Sequence, residues 1–196
     1  MIAKQMLHQQ IRLARARWVH EDDRAAQIVE FAVSLPLLVV LVVGIFDFSG
    51  ALSLKQKLTN AAREGARVAA ADPANDLGSA SLPASVADAY QVVDNYLLSE
   101  KINDCGLIAM KPTKTTGLTW VSTATTGCPG TGLQLTINRG CLASQNVGAT
   151  AVNVVNTCVT IVYPYSWRFS GVAGLFGGRF LPPASITANA VAFNEN

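Results

Sequence analysis

Sixteen residues without a charge, Phe31–Phe46 (FAVSLPLLVVLVVGIF), constrain this chain more than any other feature. At ~1.5 Å per residue such a helix covers about 24 Å, short of the ~30 Å hydrocarbon core of a bilayer. Extension back to Ile28 and on to Leu54 supplies the missing length, and admits Glu30 and Asp47 near the two faces. Leucine and valine point in every direction around the helix, without the polar stripe that marks a surface helix of a soluble domain. The expectation is a single transmembrane helix. Charged residues make up only 14% of the chain, against roughly 25% in soluble proteins, and the span accounts for the difference.

Charge and reactive side chains narrow the function. Residues 1–25 carry five basic and three acidic residues, and the remaining ten of each sign balance. That distribution excludes a polyanion-binding domain, so no nucleic-acid partner is expected. Both histidines, His8 and His20, precede the apolar run, whereas all four cysteines (Cys105, Cys128, Cys141 and Cys158) follow it. Without histidine the C-terminal part can build neither a Ser-His-Asp nor a Cys-His arrangement, nor a His-ligated metal site. No enzyme activity and no cofactor are expected. Orientation rests on the cysteines, because Lys55, Lys57, Arg63 and Arg67 nearly offset the basic residues before the span. Four cysteines without a CxxC pair in a small domain read as disulfides formed outside the cytoplasm, which puts the N-terminus inside. Leu7, Ile11, Ala14 and Trp18 share one helical face beside Arg15 and Arg17, which fits either a short helix on the inner leaflet or a disordered leader.

Residues 24–71 carry a set of features in a particular order. They are a small-residue pair at Ala25-Ala26, Glu30-Phe31 just beyond it, Leu35-Pro36 inside the apolar run, Asp47 after Gly44-Ile45-Phe46, and NAAREGAR at 60–67. Together they resemble the N-terminal region of TadE-like proteins, the minor pseudopilins of tight-adherence (Flp-type) pili. The resemblance implies a bacterial inner-membrane protein whose partners are membrane lipid, other pilins and pseudopilins, pilus assembly proteins and a prepilin peptidase. It implies cleavage between Ala25 and Ala26, so that Glu30 becomes the fifth residue of the mature chain. It also implies that Glu30, Phe31, Pro36 and Asp47 belong to a helix packed in register against neighbouring subunits. An intramembrane carboxylate costs about 2.5–3.5 kcal/mol on insertion scales, and a neighbour's new α-amine at Ala26 would offset it. Read as a residue alone, Glu30 fits equally well at the headgroup boundary near Arg24. Pro36 removes one backbone donor, so a kink or local melting is expected there.

Beyond the lipid, Leu54, Leu58, Ala61, Gly65 and Val68 form one stripe that Lys55, Arg63 and Arg67 avoid, and Asp72-Pro73 ends the helix near Ala71. Residues 72–85 read as a linker. Ser85, with Asp88 three residues on, reads as the start of a second helix whose apolar face is Val86, Ala89, Val93, Tyr96 and Leu97. Strands are expected at 107–110, 118–122, 133–138, 152–163 and 186–193, with turns at Thr116-Gly117, Pro129-Gly130 and Arg139-Gly140. The chain thus divides into a basic leader (1–25), a long helix (26–71), a linker (72–85) and an extracytoplasmic domain (86–196). Helices first and strands afterwards define an α+β fold with an antiparallel sheet. With its long N-terminal helix laid on that sheet, the architecture is pilin-like.

Four cysteines allow three pairings. A Cys128–Cys141 bond would join the two ends of an extended strand, whereas Cys105–Cys128 with Cys141–Cys158 bridges neighbouring hairpins. A zinc site is the alternative, although no two cysteines stand close enough in sequence to form a ligand pair. Trp167–Pro183 is apolar and glycine-rich, but without a Lys-Ser/Thr pair it does not read as a phosphate loop. It reads either as a buried loop or as a partner patch anchored by Trp167, Phe169, Leu175, Phe176 and Phe180.

Overall fold

The computed structural model describes residues 2–79, 81–147, 150–168 and 183–195, with side chains from residue 26 onward, those of 145–147 and 150 excepted. A long helix, α1 (Ile2–Ala71), precedes α2 (Ala84–Ser99) and a single 3-10 turn, Leu107–Ala109. Five strands follow: β1 (Thr113–Lys114), β2 (Thr119–Ala124), β3 (Leu133–Val147), β4 (Thr150–Pro164) and β5 (Ser185–Phe193). They pair antiparallel in chain order, giving a meander. The fold is α+β, as the order of patterns indicated. Helix α1 starts at Ile2 without a break between leader and span, and it does not melt at Pro36.

The C-terminal half of α1 packs on β4 and β5, and α2 lies beside it. Leu58, Ala61, Ala62, Ala66 and Ala69 are buried on the packed side, while Lys55, Arg63 and Arg67 are exposed. Facing them from the sheet are the alternate residues Val159 and Ile161 of β4 and Ile186, Ala188 and Ala190 of β5, as the two-residue repeat of a strand requires. Small side chains on α1 bring the backbones close. A Cβ placed on Gly65 would lie 2.6 Å from Val93 Cγ2 of α2 and 3.9 Å from Val159 Cγ1 of β4, so Gly65 marks the point where both helices and the sheet converge.

Three local expectations are corrected. Ser85 does not cap α2. The N-cap residue is Pro83, Ser85 is buried one residue inside the helix, and the Ala84 N–H donates to the Asp76 carboxylate at 2.7 Å. Segment 72–83, read as linker, is mostly exposed but is tied to the domain at one point, where Leu77 is buried and its carbonyl accepts from Lys114 Nζ at 3.2 Å. Residues 107–110 are not a strand. Cys105 and Gly106 both adopt left-handed backbone (φ 57° and 74°), and the Asp104 carboxylate accepts the Leu107 N–H at 3.1 Å, which turns the chain instead of extending it. A short edge strand, β1, stands just beyond. Finally, Arg139-Gly140 is a bulge inside β3, where two residues oppose Thr157 alone between the pairs Asn138–Cys158 and Cys141–Asn156. The bulge turns Arg139 inward. Past it, β3 and β4 continue as a two-stranded ribbon beyond the last paired residues of β2 and β5.

The cysteines pair Cys105–Cys128 and Cys141–Cys158, with Cα separations of 5.4 and 6.0 Å. The first ties the 3-10 turn to the turn between β2 and β3. The second crosses the β3–β4 ribbon at the bulge.

Asp94 of α2 is 2% exposed, with one carboxylate oxygen unpartnered. Burial first, and then the Asp104 charge, push its pKa above the ordinary aspartate value. Folding therefore favours the protonated acid. That contribution is complete below the ordinary value and is lost as pH rises through the raised one. Stability of the parent should fall with rising pH over this acidic window, whereas Asp94→Asn should lose that slope and be the more stable of the two at neutral pH. Urea midpoints measured across a pH series check this, and parallel curves for the two chains would contradict it.

Candidate functional site

Below the domain, α1 is largely uncovered by the other described residues. From Ile28 to Phe46 nearly every apolar side chain is exposed, including Phe31, Val33, Leu37, Ile45 and Phe46. The most apolar 18-residue window has a mean hydropathy of 2.7, and none of it is buried. Those nineteen residues make about 28 Å of helix, close to the hydrocarbon thickness of a bilayer. Asp47 is the first buried residue of α1 among those described, and Ala51 and Leu54, within the 28–54 read from sequence as the span, belong to the domain's core and its margin.

The acidic residues at the two ends of the span differ sharply. Glu30 is exposed, and its carboxylate makes no hydrogen bond or ion pair with any side chain among those described. Asp47 is 7% exposed, and the Tyr165 hydroxyl donates to its carboxylate at 3.1 Å. Burial, that hydrogen bond and the Asp47 charge all push the Tyr165 pKa upward, so the hydroxyl remains a donor. Seventeen residues, about 26 Å of helix, separate the two carboxylates. Phe31 and Pro36 are exposed between them, and Ala26 is exposed at the lower end. Ala25 lies within the helix.

Of the residues read as a partner patch, Trp167 is half-buried, while Phe169, Leu175, Phe176 and Phe180 lie outside the described residues. Trp167 stacks edge-on against Tyr165, with ring centroids 5.0 Å apart, and its indole N–H donates to the Pro183 carbonyl at 2.6 Å. It also borders a cavity of about 720 Å³ against Leu41, Ile45, Phe48 and Leu52 of α1. Tyr165 escaped the sequence reading, because a tyrosine after a strand carries no sign that it meets an aspartate 118 positions earlier.

The other polar centre is Arg139, 2% exposed at the far end of α1. Its Nη1 donates to the Ala69 carbonyl, to Thr157 Oγ1 at 2.9 Å and to Asn194 Oδ1 at 3.3 Å, and its Nη2 donates to the Asp72 carbonyl at 2.9 Å. One guanidinium thus satisfies carbonyls at the C-terminus of α1, which no following turn supplies. Burial lowers its pKa, partly offset by Asp72 and Asp76. Among the described residues no three His, Cys, Asp or Glu side chains gather as a metal site.

A helix whose lower half is apolar on all sides and whose upper half is packed on an antiparallel sheet defines a membrane-anchored α+β protein. Residues 25–67, which contain the whole exposed span and most of the packed half, match the family model described as TadE-like protein. That family is a structural one tied to assembly of the tight-adherence pilus. The match lies within α1 and leaves α2 and the sheet outside it. No curated protein and no solved structure matches the chain.

Proposed function

We propose that this chain is a minor pseudopilin-like subunit of a tight-adherence (Flp/type IV-like) pilus or a related secretion machine. It is held in the bacterial inner membrane with its N-terminus cytoplasmic and its domain on the periplasmic or extracellular side. The observation that carries this reading is the contrast between Glu30 and Asp47. Asp47 has its hydrogen-bond partner inside the chain, whereas the Glu30 carboxylate, on the lipid-facing span, has none among the described side chains. A carboxylate at membrane depth draws in a cation. Cleavage by a prepilin peptidase between Ala25 and Ala26 creates one, the α-amine of a neighbouring subunit, and pairing Glu30 with it sets the axial register between packed helices. Phe31 and Pro36 then lie in the helix–helix contact. The work of the protein is subunit packing, not catalysis.

Glu30→Ala is expected to cut co-purification with other pilins by about tenfold or more, the ratio that follows when an interaction of ~1.4 kcal/mol or larger is lost. Membrane association of the variant should be unchanged. Undiminished co-purification would remove the register role. Mass spectrometry on native membranes should find the mature chain beginning at Ala26. A chain that retains its leader instead supports a second reading, an uncleaved anchored adaptor that uses its domain for recognition without entering a filament. That reading draws on Ala25, where prepilins usually carry glycine.

A further inference from the structure

We infer that the foot of the domain, at Tyr165, Trp167 and Arg168, is itself a membrane contact, seated in the headgroup layer and against the upper acyl chains of phospholipid. The inference rests on the span proposed above and fixes which chemistry Trp167 meets: lipid, not a protein partner. Depth is the first argument. If Ile28–Phe46 fills the hydrocarbon layer, the bilayer surface lies close to Asp47, and Trp167 borders a cavity whose other walls reach down α1 to Leu41, five residues below Phe46. That is about 8 Å on the lipid side of the boundary. Trp167 is therefore carried to the level of the interface by the same helix that crosses it.

Side-chain chemistry is the second argument. Tyrosine and tryptophan concentrate at membrane interfaces because an apolar ring and a polar edge suit the two sides of that layer. Both rings have their polar edges engaged, Tyr165 on Asp47 and Trp167 on the Pro183 carbonyl. Trp167 can therefore sit against acyl chains without burying an unmet donor. Arg168, the next residue, is exposed and able to reach phosphate oxygens. The cavity beside Trp167 is lined by Leu41, Ile45, Phe48 and Leu52, and is continuous with the lipid-facing surface of α1.

The full chain is reconstituted in vesicles of about three parts phosphatidylethanolamine to one of phosphatidylglycerol, a mixture with an anionic surface. Part of the acyl chains is brominated either near the glycerol or near the terminal methyl. Emission of the parent minus that of Trp167→Phe isolates Trp167 from Trp18 and Trp120, and phenylalanine keeps the ring stack on Tyr165. Shallow bromine is expected to quench about half of this difference signal, and deep bromine distinctly less, as befits an interfacial depth. Aqueous acrylamide should quench it weakly. A chain that floats with the vesicles while Trp167 ignores both bromolipids and yields to acrylamide would overturn the inference and leave the span intact. A chain that fails to float would overturn the span, and this inference with it.

Discussion

Arg139→Met is expected to lower the stability of the domain by about 3–5 kcal/mol, the scale for deleting one member of a buried charged network. Methionine fills much of the same volume, so the loss is polar. The buried Ala69 carbonyl and Thr157 hydroxyl and the half-buried Asp72 carbonyl lose a donor, while the Asn194 amide oxygen keeps the one from Thr157. Each orphaned acceptor costs about 1–3 kcal/mol, and the sum is tempered by relaxation and by the desolvation penalty that the guanidinium no longer carries. Arg139→Lys should fall between parent and methionine, since an ammonium keeps the charge but cannot span the fork of acceptors. Guanidinium unfolding of the full chain in detergent, followed by circular dichroism, gives the ranking. If methionine were as stable as arginine, the network would hold no part of the fold together.

Gly65→Leu should be of similar size, about 3 kcal/mol destabilising, because overpacking a tight contact commonly costs 1–3 kcal/mol and here the backbones must separate as well. The first added carbon already falls 2.6 Å from Val93 Cγ2, and valine in a helix is confined to essentially one rotamer, so it cannot swing away. Gly65→Ala meets the same overlap but gains roughly 1 kcal/mol of helix propensity, and its net cost should be about a third of leucine's or less. Denaturation midpoints for the three chains should fall in the order glycine, alanine, leucine. A leucine variant equal to the parent would show that α1 and α2 do not meet as described.

Much of this architecture could be read from residue pattern because the patterns are local. The span declares itself by unbroken apolarity, the stripe from Leu54 to Val68 by helical spacing, and four of the five strands by strand-like stretches between turn signals. The misreadings share a cause, a local signal overruled by a distant partner. Arg139-Gly140 has the composition of a turn, but the carbonyls that turn it into a bulge lie 67 and 70 residues earlier, at Asp72 and Ala69. Ser85 has the composition of a cap, but Asp76 reaches the helix start from a segment that looked like linker. Residues 107–110 have strand-like composition, but they follow two left-handed residues and the disulfide at Cys105. The candidate site divides the same way. Glu30 and Asp47 are equivalent as letters, each an acid at the edge of an apolar run, and burial beside Tyr165 tells them apart.

The way α1 lies along the sheet has a mechanical consequence. Its seam with β4 and β5 runs lengthwise, from Tyr165 against Asp47 near the bilayer to the Glu195 N–H on the Ala70 carbonyl at the far end. Tension drawn through the anchor therefore loads that seam in shear, with every contact strained together, instead of peeling them apart one after another. A domain attached in this manner stays with its helix until the whole seam gives way.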